Sequence, residues 1–253
     1  MLKINNLEVN VDNKQIINNL NLDIKNGEIH VLMGPNGVGK SSITKVLLRD
    51  KNYNVLNGSI SYNDEDLLTF NTTEASRKGI YLVNQNPLQI EGITTAELLR
   101  TSLNEQNKKL DIFEFSKELD SLCKELEIPK SYVHRDINVG MSGGEKKKIE
   151  LLHMWMLKPK FIILDEVDSG LDVDAIRVVS ESINKYYEMY KPSILIITHH
   201  TNILEYIKPN YVHVMVNGKI SESGDITLAE RIENEGFVSL KGTNIVSGND
   251  LSE

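Results

Sequence analysis

A glycine-rich segment constrains the fold of this 253-residue chain more than any other feature. Residues 34–42 read GPNGVGKSS and match the pattern G-x-x-x-x-G-K-[ST]. The apolar run Ile29–Met33 precedes the segment, and a helix is predicted to begin at Lys40. Glycines let the backbone turn tightly and direct its N–H groups at an anion, and the start of a helix adds the positive end of its dipole. The segment therefore predicts a phosphate-binding loop in an α/β fold.

The residue types in this loop are those that bind ATP and Mg²⁺. Lys40 is predicted to reach the β- and γ-phosphates, and the Ser41 hydroxyl to ligate Mg²⁺. An ordinary glycine-rich turn is the alternative, which the strand before the loop and the helix after it disfavour. The predicted ATP-binding residues of the segment are Gly34, Pro35, Asn36, Gly37, Val38, Gly39, Lys40, Ser41 and Ser42.

Two adjacent carboxylates follow a second apolar run. The segment 161–166 reads FIILDE and ends with Asp165 and Glu166. One acid is needed near Mg²⁺, and we expect Asp165 to fill this role. A second acid at the same strand end can orient or deprotonate the attacking water, and Glu166 is the candidate. A solvated pair of acids is the alternative, which a phosphate-binding loop in the same chain disfavours.

Three apolar runs predict buried parallel strands that end at one crevice. They are Ile29–Met33, Phe161–Leu164 and Ile194–Ile197. The first leads into the glycine-rich loop, the second into the two acids, and the third into Thr198 and His199. Ligands of open α/β sheets bind outside the carboxyl ends of the strands. We therefore expect these distant pieces of sequence to converge.

The two ends of the chain differ in character. Runs around Leu2–Val9 and Ile16–Ile24 predict two strands joined by a polar turn. A segment rich in Gly, Ser, Asn and Asp closes the chain and predicts a disordered tail over 241–253. We expect one nucleotide-binding domain over 1–240.

A helical insert interrupts the alternation of strands and helices. It is expected over approximately 90–155, where Thr94 and Glu97 have the spacing of a capping box. An apolar stripe over 112–126 predicts a further helix, with Cys123 beside it as a buried structural thiol.

Composition excludes several classes of function. The formal net charge is -8, which argues against binding to the backbone of a nucleic acid. A single cysteine cannot form an internal disulfide, and no apolar run approaches the roughly 18–20 residues that span a bilayer. The N-terminal segment lacks the apolar core of a signal peptide. We therefore expect a cytoplasmic protein without direct membrane insertion.

Four further motifs make the chain resemble the ABC (ATP-binding cassette) ATPases over nearly its whole length. Residues 142–145 read SGGE and resemble the family's signature motif; residues 169–172 read SGLD and resemble its D-loop. Gln85 resembles the Q-loop glutamine and His199 the switch histidine. The resemblance implies the ABC ATPase fold, with a phosphate-loop core, an N-terminal antiparallel β part and an inserted helical subdomain.

The resemblance also implies roles for these residues in ATP hydrolysis. Gln85 and His199 would be catalytic together with Glu166, and Gln85 would also approach Mg²⁺. Ser142, Gly143 and Gly144 would bind a phosphate of ATP held by a second subunit, in an ATP-dependent head-to-tail dimer. Taken alone, a serine and two glycines at a helix start already offer a hydroxyl and free N–H groups to a phosphate.

Several of these residues have simpler alternatives. Gln85 can be an ordinary polar loop residue, and His199 a hydrogen-bonded histidine at a strand end. Its neighbour His200 raises the possibility of a zinc site, but no further ligands cluster nearby in the sequence. The run Lys146–Lys148 is expected to form a solvated helix face, and Trp155 with the methionines around it to pack in the core.

Two positions depart from the family pattern. Many members stack adenine on an aromatic residue near the first strands, where this chain has Val11, so base selectivity is expected to be looser. Met141 precedes SGGE where Leu or Phe is commoner, and little effect is expected.

Finer details resemble the SufC-like branch, the ATPases of Suf iron–sulfur cluster assembly. The matching stretches are MGPNGVGKSS (33–42), NQNPLQIEGITTAE (84–97), SGGEKKK (142–148), LDEVDSGLDVDA (164–175) and YIKPNYVHVMVNGKISESGD (206–225). The last stretch lies outside the nucleotide-binding motifs and discriminates best.

The branch implies soluble partners of the SufB and SufD type, which we expect to dock on residues 85–130. A cytoplasmic nucleotide-binding subunit of an ABC membrane transporter is the main alternative. A scaffold that binds ATP without hydrolysing it is a third, which Glu166 and His199 disfavour.

Overall fold

An antiparallel sheet, a mostly parallel sheet and a layer of helices follow one another across the molecule. The computed structural model describes residues 1–106, 108 and 111–237. The tail predicted over 241–253 lies outside the described residues.

The strands and helices are bounded as follows. The strands are β1 (Leu2–Val11), β2 (Lys14–Ile24), β3 (Ile29–Met33), β4 (Asn54–Tyr62), β5 (Glu65–Asp66), β6 (Ile80–Val83), β7 (Ile90–Thr94), β8 (Asp136–Ile137), β9 (Phe161–Asp165), β10 (Ser193–Ile197), β11 (Tyr211–Val216) and β12 (Lys219–Gly224). The helices are α1 (Lys40–Leu47), α2 (Thr72–Arg77), α3 (Thr95–Glu105), α4 (Ile112–Glu125), α5 (Gly143–Leu157), α6 (Val173–Tyr190) and α7 (Ile226–Glu235).

The N-terminal residues form an antiparallel sheet with the strand order β2-β1-β4-β5. The two strands predicted at the start of the chain are confirmed. They are joined by Asp12 and Asn13, whose φ angles of 48° and 62° are those of a tight hairpin turn. Apolar side chains of this sheet pack on the second sheet and on α1.

The second sheet has the order β12-β11-β3-β10-β9-β6, and all its pairs except β11–β12 are parallel. The three predicted parallel strands are confirmed as β3, β9 and β10, and every residue in them is buried. Alternate residues of each strand face the antiparallel sheet on one side and the helices on the other. This double burial explains why the runs are continuously apolar.

Helices α3, α4 and α5 occupy the predicted insert. The capping box predicted at the start of α3 is confirmed: Thr94 accepts from the Glu97 N–H, and the Glu97 carboxylate accepts from the Thr94 N–H. Cys123 is buried in α4, as predicted. The ladder between β7 and β8 was not predicted, because two residues of β8 are too few to show a periodic pattern. Among the described residues, no helix combines the length and the apolar character that crossing a bilayer requires.

Two buried histidines join β3 to β11 at the end of the sheet away from the glycine-rich loop. His30 Nδ1 and His213 Nε2 are 2.9 Å apart. The second ring nitrogen of each histidine is also hydrogen-bonded. His30 Nε2 lies 3.0 Å from a Glu28 oxygen, and His213 Nδ1 lies 2.8 Å from Ser223 Oγ. Burial lowers the pKa of His213 to about 4 and also lowers the pKa of His30, although Glu28 opposes the shift of His30.

The direction of this chain of hydrogen bonds follows from its carboxylate end. An ionised Glu28 accepts the Nε2–H of a neutral His30, so that Nδ1 of His30 is an acceptor. His213 therefore donates from Nε2, and its Nδ1 accepts the Ser223 hydroxyl. The two ring centroids are 5.2 Å apart, which equals the distance between the two nitrogens plus the radius of each ring. Both nitrogens therefore lie close to the line that joins the centroids. The bond is therefore nearly linear, and the two nitrogens point at each other rather than at a common metal position.

The pair should make the fold sensitive to acid. An unfolded histidine gains a proton below about pH 6.5, but His213 in the fold resists protonation down to about pH 4, so folding stability falls as the pH decreases through this window. Between about pH 7 and about pH 4.5 we expect wild type to lose about 2 kcal/mol more unfolding free energy than His213→Gln. Urea unfolding at the two pH values measures this difference.

His134→Gln is the matched control, because it makes the same substitution at an exposed histidine outside the buried pair. Equal pH dependence in wild type and His213→Gln would contradict the assignment.

Candidate functional site

The glycine-rich loop adopts backbone angles and close approaches that its glycines permit. Gly37 and Gly39 have φ angles of 81° and 102°, and Gly39 immediately precedes α1. A side chain on Gly34 would lie 2.4 Å from the carbonyl oxygen of Met215, in the neighbouring strand β11. The loop predicted between β3 and a helix from Lys40 is thus present, and β11 packs against it.

Lys40 folds back over this loop. It is 4% exposed, and its ammonium group donates to the carbonyl oxygens of Gly34 at 2.8 Å and Pro35 at 3.0 Å. An ammonium has three donors, so one remains for a ligand oxygen. Burial lowers the pKa of Lys40, whereas the nearby Glu166 and Asp165 carboxylates act to raise it. A buried cation at the start of a helix is suited to a phosphate group.

Asp165 lies at the carboxyl end of β9, beside the first turn of α1. Its Oδ1 is 3.4 Å from the Ser41 hydroxyl, and the residue is 8% exposed. Burial raises its pKa and Glu166 raises it further, whereas the Ser41 hydroxyl acts to lower it. A hydroxyl and a carboxylate are the oxygen donors that Mg²⁺ prefers, and a cation here would offset the desolvated negative charge. The donor set therefore fits Mg²⁺.

Glu166 is held between the two other predicted catalytic residues. One carboxylate oxygen accepts from Gln85 Nε2 at 2.7 Å, and the other lies 3.2 Å from His199 Nδ1. Gln85 Nε2 is also 3.5 Å from Ser169 Oγ, so the residues that resemble the D-loop adjoin this group. The structure thus brings Gln85 to Glu166, and the expected approach of Gln85 to Mg²⁺ stays a prediction.

The backbone of Glu166 is unusual for a residue other than glycine. Its φ angle of 45° is left-handed, and its N–H donates to the Ile197 carbonyl of β10 at 2.8 Å. Such conformations cost energy and persist where the surroundings fix them, often at functional sites. The turn directs the carboxylate toward Gln85 and His199.

A buried pair that the motifs did not identify supports the His199 loop. Thr198 Oγ1 donates to Asp168 at 3.2 Å and accepts from the backbone N–H of His200 at 3.0 Å. Both Thr198 and Asp168 are buried, so the loop after β10 is anchored to the loop after β9. The sequence signal was a third acid, Asp168, which lies in the stretch 164–175 but to which the sequence analysis gave no role.

The signature residues lie apart from this group and on the surface. Ser142 is exposed and caps α5: its hydroxyl accepts from the Glu145 N–H, and the Glu145 carboxylate accepts from the Ser142 N–H. Side chains added at Gly143 or Gly144 would meet nothing within 4 Å. The start of α5 is therefore open to an approaching ligand or chain.

The expectation of a solvated face at Lys146–Lys148 is wrong for Lys147. That residue is 3% exposed, and its ammonium donates to the Asn84 carbonyl and lies 3.4 Å from Glu150. The reason is tertiary, because α5 packs against the end of β6 at this point. Burial raises the pKa of Glu150 to about 7 and lowers that of Lys147, and in each case the partner charge opposes the shift. Trp155 and its methionine neighbours are buried, as predicted.

Comparison with known proteins identifies the family. The model of the family described as "ABC transporter" matches residues 17–169, which is more than half of the chain. The chain belongs to the ABC transporter family. It is an ABC ATPase, and the ABC ATPase fold predicted from the sequence is confirmed.

Individual relatives cover nearly the whole of this ABC ATPase. It is 42% identical to "Probable ATP-dependent transporter ycf16" of Cyanidium caldarium, over 95% of the chain and 96% of the relative. It is 40% identical to "Probable ATP-dependent transporter SufC" of Escherichia coli K12, over 94% and 97%. Among solved structures, a dimeric post-hydrolysis ATP-binding cassette with ADP and phosphate bound has a TM-score of 0.76 at 20% identity, covering 89% of this chain and 99% of that one.

Removal of the Lys40 charge should weaken ATP binding. Lys40→Ala loses one charge-assisted hydrogen bond to phosphate, so we expect the Kd for ATP to rise about 10- to 100-fold. Equilibrium binding of labelled ATP at fixed salt measures the change.

Lys51→Ala removes a lysine from an exposed position after α1 and should bind ATP as wild type does. An unchanged Kd in Lys40→Ala would rule out the assignment of this loop to phosphate.

Proposed function

We propose that this ABC ATPase uses ATP hydrolysis to drive a cytoplasmic complex that assembles iron–sulfur clusters, with partners of the SufB and SufD type. The observation that carries the proposal is the 40% identity to the relative named SufC, which extends over 97% of that protein. The stretch 206–225, which contains β11 and β12, also resembles this branch, and the resemblance is informative because the stretch lies outside the phosphate motifs. An ABC membrane transporter subunit is the second candidate, favoured by the word transporter in the names of both relatives.

The contacts within the site support the roles that we propose for its residues. The loop N–H groups and Lys40 bind the phosphates, and Ser41 and Asp165 would hold Mg²⁺, which would offset phosphate charge. Glu166 orients the attacking water and accepts its proton as the water oxygen bonds to the terminal phosphorus and the bond from that phosphorus to the bridging oxygen of ADP breaks. Gln85 and His199 fix the two oxygens of this carboxylate, and the leaving ADP remains on the loop.

The exposed start of α5 supports a two-chain site. Ser142 makes its described side-chain contacts with Glu145, and the N–H groups of Gly143 and Gly144 point out of an open helix terminus. We infer that this terminus binds the γ-phosphate of ATP on a second copy, in a head-to-tail dimer that forms when ATP is bound. The relative with ADP and phosphate is described as dimeric, and it shares this fold.

The surface of residues 85–130 is the proposed docking site for the scaffold partners. Among the described residues of this segment, four large apolar side chains are exposed: Leu88, Ile90, Ile112 and Phe113, which are 73%, 42%, 66% and 76% exposed. Exposed apolar groups of this size mark sites of protein association. Because Gln85 lies at one end of the segment, a partner docked here is near the group that holds Glu166.

Neutralising Glu166 should separate binding from hydrolysis. Glu166→Gln keeps the shape of the side chain, so we expect wild-type ATP affinity and a kcat lower by about two orders of magnitude or more. Light scattering with Mg–ATP should show a dimer of Glu166→Gln, because the bound ATP persists.

Ser142→Arg in the Glu166→Gln background should abolish this dimer, whereas Ser131→Arg, at another exposed serine, should retain it. A wild-type hydrolysis rate in Glu166→Gln would refute the role of the carboxylate. A dimer that forms without nucleotide and tolerates Ser142→Arg would refute the two-chain site.

The partners can be identified from native extract. A pull-down with the tagged chain should recover SufB- or SufD-like proteins, and Leu88→Asp with Phe113→Asp should lose them while retaining ATP binding. Val173→Asp is the control, because Val173 is 73% exposed and lies outside residues 85–130.

Depletion of the protein should lower the activities of iron–sulfur enzymes and leave solute uptake intact. Expression of wild type, but not of Glu166→Gln, should restore these enzyme activities. Recovery of a polytopic membrane protein without a scaffold protein would instead assign the chain to transport.

A further inference from the structure

Helix α5 holds both backbone groups of one residue, Asn84. Glu150 Oε1 accepts the Asn84 N–H at 3.1 Å, and the Lys147 ammonium donates to the Asn84 carbonyl oxygen. Lys147 and Glu150 also pair with each other at 3.4 Å, one helical turn apart. We refer to Lys147 and Glu150 as the Asn84 clamp.

The clamp consists of charges that are removed from water. The side chains of Lys147 and Glu150 are 3% and 8% exposed, and Tyr81 of β6 donates to the Glu150 carbonyl at 3.2 Å. A buried ion pair recovers little more than the cost of its desolvation, and apolar residues of similar size commonly stabilise a fold as well. Stability alone therefore does not account for the pair, whereas the fixing of Asn84 does.

The position of Asn84 matters because of the residue that follows it. Gln85 follows Asn84 in the chain, and its side-chain amide Nε2 donates to Glu166 at 2.7 Å. Gln85 is itself exposed, so its own packing does little to fix it. A shift of Asn84 along or across α5 therefore moves the Gln85 amide relative to the Glu166 carboxylate. Catalytic groups tolerate such displacement poorly.

We propose that Lys147 and Glu150 are positioning residues for ATP hydrolysis, which hold Asn84 so that Gln85 keeps the Glu166 carboxylate aligned with the attacking water. The inference rests on the proposed roles of Gln85 and Glu166. It places neither clamp residue in contact with ATP, so nucleotide binding does not depend on the clamp.

Kinetics of single variants test the proposal. Lys147→Met loses the bond to the Asn84 carbonyl, and we expect kcat to fall about 10- to 100-fold while the Kd for ATP stays within about twofold of wild type. Lys148→Met is the matched control, because it removes a neighbouring charge from the same helix. Lys148 pairs with Glu127 rather than with Asn84, so this variant should keep the wild-type kcat.

A double variant separates positioning from folding. Lys147→Met with Glu150→Leu leaves no unpaired buried charge, so it should fold with a Tm near that of wild type and still hydrolyse ATP slowly. In the Gln85→Ala background the same double change should lower kcat by less than about twofold, because the clamp acts through Gln85.

Recovery of the wild-type kcat in the double variant would overturn the proposal, since the clamp would then serve folding alone. Slow hydrolysis with intact ATP binding and a normal Tm would support it. A wild-type protein that binds but never hydrolyses ATP would refute the proposed function and the clamp together, whereas an active wild type with fully active clamp variants would refute the clamp alone.

Discussion

The site depends on the parallel pairing of three buried strands. β10 lies between β3 and β9, and the register places Ile197 level with both Leu32 and Asp165. The glycine-rich loop, the two acids and His199 leave the sheet at these points, and so residues more than 160 positions apart reach one edge. Packing on both faces helps to fix the register, because a slip by one residue would move each side chain from one core into the other and disrupt the packing of both.

Local patterns predicted most of this arrangement. The glycines of the loop, the capping box at Thr94 and the apolar strands could be predicted because each depends on residues within a few positions. The apolar runs that end in polar residues predicted that Glu166 and His199 would converge, whereas the role of Gln85 was predicted through the resemblance to the ABC ATPases.

The unpredicted features depend on partners distant in sequence. The burial of Lys147 requires Asn84, which lies 63 positions away, and a lysine run gives no local sign of such a partner. His30 and His213 meet across 183 positions, and each alone is an ordinary strand residue. The Thr198–Asp168 bond is of the same kind, since it needs two adjacent parallel strands.

Strand β11 has a consequence for the order in which the protein is made. Its residue Met215 approaches both Gly34 and Gly39, and the Asn18 N–H donates to the carbonyl oxygen of Gly218 just beyond the strand. The nucleotide cradle is thus encoded early in the chain but is supported by a segment that the ribosome adds about 180 residues later. An emerging chain that already contains the loop, both acids and His199 still lacks strand β11, which packs against the loop. Competence to bind nucleotide therefore arrives only after strand β11 has been synthesised.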